Sequence, residues 1–179
     1  MFLPLALLFI GAVLVLNGLW ITHHMGDREI VVINLVTAGI LAFIAALGLV
    51  HAETVQEVRA VALTLLSGII YLWVTANQLD ESDGRGLGWF SLIVAISVLP
   101  EGVRVLPNAD TFMQVWLGIF WFVWAALCAP HLLLLAQKRI IKSQVAFGIL
   151  GFGVLTGWLP ALVFLNGVHS FPYTHLTLA

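Results

Sequence analysis

Charge is scarce in this sequence: 9% of its 179 residues are Asp, Glu, Lys or Arg, against about 25% in a soluble domain. So few charges cannot clothe an ordinary water-facing surface. The net charge is -2, and the Lys and Arg are scattered, which excludes an electrostatic footprint for nucleic acid and a polybasic tract for lipid headgroups. Cysteine occurs once, as Cys128 inside an apolar run. There is therefore neither a disulfide framework nor a thiolate cluster for a metal, and this thiol reads as a small buried hydrophobe. Catalytic signatures are missing too. With no H-E-x-x-H, no G-x-S-x-G and no pair of mid-span Asp residues, an intramembrane enzyme lacks its nucleophile or metal site. No cofactor motif occurs, and no cofactor is expected.

What remains is apolar chain: 61% of the residues are hydrophobic and the mean hydropathy is +1.08. Six stretches, 3–21, 30–50, 60–79, 86–106, 112–136 and 144–167, are each long enough to cross about 30 Å of hydrocarbon as a helix. The expected fold class is all-α integral membrane, a single six-transmembrane-helix bundle over 1–168 with a flexible tail over 169–179. The first stretch has no basic n-region and no small-residue cleavage site, so it reads as the first span and not as a signal peptide. Pro100 is expected to kink or end the fourth span. All connections are short, which predicts antiparallel hairpins. Connections one, three and five carry Arg28, Arg85, Lys138, Arg139 and Lys142, whereas two and four carry only Arg59 and Arg104. Because basic residues accumulate in cytoplasmic loops, both termini are expected outside.

The distribution of polar groups narrows the function. A mid-depth carboxylate or basic residue is the usual mark of an ion or proton path, and none is found in the span interiors. Glu101 and Arg104 form an i,i+3 pair that reads as interfacial; His23 and His24 read as solvated loop residues and His131 as interfacial. The polar groups that do lie in the spans are neutral: Asn17, Asn34, Ser67, Tyr71, Asn77, Gln78, Thr156 and several indoles. Such groups exchange hydrogen bonds with a small polar solute without binding an ion. On the fifth span Leu117, Trp121, Trp124 and Cys128 recur at steps of 4, 3 and 4, and so share one face. On the first span Leu7, Leu14 and Asn17 share another. Trp20, Trp89 and Trp116 suit the interfacial belt, whereas Trp121 and Trp124 lie deeper than a belt requires. Spacing alone leaves those two open between pore lining and helix packing.

Several stretches together carry a resemblance. They are L-L-F-I-G-A-V-L-V-L-N-G in the first span, T-L-L-S-G-I-I-Y-L-W-V-T-A-N-Q in the third, and G-x-G-L-G-W-F-S-L-I-V-A opening the fourth. W-F-V-W-A-A-L follows in the fifth and T-G-W-L-P-A-L in the sixth. In this order and layout the chain resembles the UreI/AmiS family of bacterial urea and short-chain amide channels. Its first connection, G-D-R-E-I-V-V-I-N, is similar to the amide-operon branch.

The resemblance implies a pore inside each six-helix protomer and a hexameric ring in the bacterial cytoplasmic (inner) membrane, both termini outside. It also implies two constrictions lined by Leu, Trp and Tyr that pass flat urea-like solutes. By motif, Leu7, Leu14, Asn17, Tyr71, Trp121, Trp124 and Leu127 correspond to lining positions; Leu117 and Cys128 join them from the fifth-span stripe. Two positions depart from the family pattern: Cys128 stands where a further Trp is common, and Phe152 where the acid-gated urea channels carry a glutamate. The expectation is a passive channel for urea, acetamide and related amides, without proton gating and surrounded by lipid. The alternatives are a proton-gated urea channel and, beyond the family, a secondary carrier of a neutral solute.

Overall fold

The computed structural model describes residues 2–110, 112–136 and 142–166. Lys138, Arg139 and the tail 169–179 lie outside the described residues. Among those described, six helices are long and apolar enough to cross a membrane. Helix α1 (Leu3–Ile21) has a proline in its first turn, where the fixed φ suits a helix and no N–H is missed. Helix α2 (Glu29–Val50) follows, opened by Glu29, whose carboxylate accepts from the Gly26 N–H at 2.7 Å.

Helix α3 (Val55–Leu79) begins five residues before the expected start. The reason is local. Thr54 and Glu57 form a reciprocal capping box, with Glu57 N donating to Thr54 Oγ1 at 3.2 Å and Thr54 N to Glu57 Oε2 at 2.8 Å; this satisfies two of the donors a helix start leaves free. Helix α4 (Arg85–Val105) runs through Pro100 instead of ending there. The turn is held from outside. Glu101, the next residue, is only 5% exposed and accepts from Arg59 of α3 at 3.1 Å and from Arg104 at 2.7 Å. The expected interfacial pair is thus a buried carboxylate shared by two arginines. Glu101→Ala should lower stability by about 1–2 kcal/mol, since the stranded guanidinium groups are half exposed and rehydrate. Thermal unfolding in detergent checks this, and an unchanged midpoint would show that the bridge contributes nothing.

Helix α5 (Phe112–His131) continues into a π-helical turn, Leu132–Ala136. The last span combines α6 (Lys142–Phe152), a π-helical turn (Gly153–Trp158) and α7 (Leu159–Leu165). This wider turn falls just before Pro160, which has no N–H to return to the Thr156 carbonyl. In the same turn the Thr156 hydroxyl donates to Phe152 O at 2.6 Å.

Three close antiparallel pairs make the bundle: α1 with the last span, α2 with α3, and α4 with α5. Large apolar side chains point outward, among them Val32, Phe43, Ile96 and Phe147, while Asn17, Asn34, Thr37, Thr75 and Ser91 are buried. That inverts a soluble protein and fits a lipid surround. Two apolar clusters form the interior. One joins Ile10, Leu14, Leu41, Tyr71, Leu127 and Ile149, the other Leu63, Val94, Val98, Ala125 and Cys128.

Candidate functional site

Between these two clusters lies a cavity of about 520 Å³. Its mouth is at the end of the bundle that carries connections one and three, where Trp20, His23, Asp27, Asn77, Gln78 and Ser82 line it. Trp20 Nε1 donates to Asp27 Oδ1 at 2.8 Å, which ties the end of α1 to its own loop. From Leu87 to Val98 the wall follows α4 inward for about 16 Å at the helical rise. Of the charged and histidine side chains of the lining, Asp27, Asp83 and His23 lie in the connections, while His131 lies within the fifth span, more than one turn before its end at Ala136. The deep part is aliphatic, built from Ile10, Leu14, Ile70, Val74, Val94, Val98, Leu127 and Ile149.

A few polar groups interrupt this apolar wall. Ser67 and Ser91 donate to the carbonyls of Leu63 and Leu87, both at 2.9 Å, so their donors are already used. His131 Nδ1 is 3.0 Å from the Leu127 carbonyl, which can only accept, so that nitrogen carries the proton. Trp124 differs. Its Nε1 is buried and has no hydrogen-bond partner among the described residues, although the side chain lines the cavity. An unpaired buried donor is unfavourable by about 1–3 kcal/mol. Trp121 packs edge-on against Trp124, with centroids 5.8 Å apart and planes at 77°; this geometry favours the ring quadrupoles.

The structure brings Leu14, Asn17, Tyr71, Trp124, Leu127 and Cys128 together on the cavity wall. Leu7, Leu117 and Trp121 are not on that wall; they lie further toward the opposite end of α1 and α5. Leu7 is buried, and its carbonyl lies close to Gly157 of the last span. Trp121 packs on the cluster of Leu63, Val94 and Val98, and Leu117 is half-buried. Phe152 packs against the other cluster. The α4 contribution, Leu87, Ser91, Val94 and Val98, went unanticipated. Its steps of 4, 3 and 4 match those of the α5 stripe, but small aliphatic residues at that spacing read as ordinary core.

Six spanning helices around an internal cavity whose deep wall is mainly aliphatic define a multi-pass membrane protein. The chain belongs to the AmiS/UreI family of transporters, whose model matches residues 2–168. A protein of Mycolicibacterium smegmatis named for the transport of amidate substrates is 31% identical, over 90% of this chain and 75% of that protein. The acid-activated urea channel of Helicobacter pylori is 24% identical, over 92% of this chain and 98% of the relative. The crystal structure of the urea channel from that organism superposes with a TM-score of 0.80, covering 91% of this chain and 97% of the other at 24% identity. The shared fold is therefore the six-span bundle.

Proposed function

We propose that this protein is a passive channel for small neutral amides, urea and short-chain amides such as acetamide. It acts in the bacterial cytoplasmic membrane as a ring of six copies with both termini outside. The observation that carries the reading is the deep cavity itself, whose aliphatic walls carry the ring of Trp124, a carboxamide and a phenol but no Asp, Glu, Lys or Arg. A planar amide slides along such walls and trades its hydrogen bonds for those of Trp124 and Asn17. A hydrated ion cannot shed its water there. Leu7, Leu117 and Trp121, beyond the closed end of the cavity, are proposed to line the outer part of the path, as the family motif implies for Leu7 and Trp121 and the fifth-span stripe for Leu117. The higher identity to the amidate-substrate relative than to the urea channel of Helicobacter pylori supports the amide branch.

Passive passage separates this reading from a carrier. Acetamide flux into proteoliposomes rises linearly with concentration and shows no counterflow. Saturation with counterflow would instead establish a carrier.

Gating by acid, the property in the name of the Helicobacter pylori relative, is absent from the proposed activity. Phe152 packs as an apolar side chain against the Ile10 and Ile149 cluster and cannot take up a proton. With no carboxyl at that position, the expected urea flux is the same at outside pH 7 and pH 5, even though His23 and His131 line the cavity. A several-fold rise at the lower pH would restore the proton-gated reading.

A further inference from the structure

On one side of the cavity two carboxamides face each other. Asn17 Nδ2 donates to Asn34 Oδ1 at 3.2 Å, and Asn34 Nδ2 donates to Asn17 Oδ1 at 3.0 Å. Asn34 Nδ2 also donates to the Ile30 carbonyl at 2.9 Å. The two residues differ in access. Asn34 is fully buried and Asn17 is 8% exposed, and only Asn17 lines the cavity.

The hydrogen-bonding capacity of each amide determines what is left over. A primary amide offers two N–H donors and two carbonyl lone pairs. Asn34 uses both donors. Asn17 uses one donor and one lone pair, and so keeps one of each for a third partner. The orientation is also set. The Ile30 carbonyl can only accept, so the Asn34 NH2 must face it; turning the Asn34 amide over would oppose two oxygens. With Asn34 fixed, turning over Asn17 would place oxygen against oxygen and nitrogen against nitrogen.

We infer that Asn34 is a specificity-positioning residue. It holds the Asn17 carboxamide in one orientation, so that Asn17 presents a fixed donor and a fixed acceptor to a permeant that is itself a primary carboxamide or urea. This rests on the channel reading above and deepens it, because a rigid planar solute gains more from a fixed donor and acceptor than a flexible one does. Acetamide and ethylene glycol have the same number of heavy atoms, but only acetamide is planar and rigid. The Asn17 and Asn34 pair should therefore favour acetamide.

The test measures the acetamide to ethylene glycol permeability ratio in proteoliposomes holding the full chain, for wild type, Asn17→Leu, Asn34→Leu and the double variant. Asn34→Leu is expected to lower the ratio by about threefold to tenfold, the size of one lost hydrogen bond. The double variant should match Asn17→Leu alone, because Asn34 acts only through Asn17 and the effects do not add. It should also fold well, because removing both partners strands no amide.

If Asn34→Leu gives no folded protein, Asn34→Asp keeps the shape with at most one donor and must also lower the ratio. A wild-type ratio in the folded Asn34 variant, or effects that multiply in the double variant, would overturn the inference and leave the channel reading standing. A wild type that carries acetamide no faster than empty vesicles carry it would overturn both.

Discussion

Gly11→Ala lowers the melting temperature and the folded yield well below wild type, whereas Gly39→Ala does not. A methyl group on Gly11 would lie 2.2 Å from Trp158 N and 2.7 Å from the carbonyl carbon of Gly157. Both are backbone atoms of the last span and cannot swing aside as a side chain would. The reverse contact is as tight, since a Cβ on Gly157 would meet Gly11 Cα at 2.5 Å. Overpacking typically costs about 1–3 kcal/mol; against backbone on both helices the upper end or beyond applies. That is a large share of a total stability of about 5–15 kcal/mol.

Gly39, on α2, has nothing within 4 Å of its hypothetical methyl, so alanine there gains up to about 1 kcal/mol of helix propensity. The melting temperature and monodisperse yield of both variants in detergent check the pair. A wild-type melting temperature for Gly11→Ala would mean that α1 and the last span do not approach this closely. The approach matters for function, because it sets where α1 carries Ile10, Leu14 and Asn17 into the cavity wall.

Trp124 separates the two contributions of one side chain. Trp124→Phe removes the N–H together with a minor part of the ring system and keeps an aromatic face. Loss of one hydrogen bond to a solute carbonyl lowers urea and acetamide flux by about twofold to tenfold. Trp124→Ala also empties the volume of the ring, so propionamide gains several-fold relative to urea. Permeability of the series urea, acetamide and propionamide, measured on both variants, distinguishes the effects. An unchanged series in both would return Trp124 to plain helix packing.

Much of the fold is legible because lipid imposes it. A span must be about 20 apolar residues long, and α1 runs over the residues that hydropathy selects. The misjudged boundary, the start of α3, lies where polar residues take part in a helix. The T-x-x-E that caps α3 sits in a stretch that reads as loop, although the capping pattern itself was visible at Thr54 and Glu57. The fourth span falls within a residue of its expected bounds at each end, but Glu101 meets Arg59, a partner 42 residues away, and no local pattern reveals such a contact.

The site divides along the same line. Trp124 and Cys128 could be placed on one wall because a helix repeats its face every three or four residues, and Leu127 was implied by the family motif alone. Where the cavity stops could not be read from that repeat, which extends to Leu117 and Trp121 without marking an end. Asn34 was visible as a neutral polar residue in a span, but its relation to Asn17 exists only once α1 and α2 fold against each other.

Stopped-flow uptake of urea and acetamide into proteoliposomes tests the central claim most directly. Both solutes should enter vesicles containing the protein faster than empty vesicles of the same lipid, with no ion gradient applied. Uptake of both at the rate of empty vesicles would contradict the account.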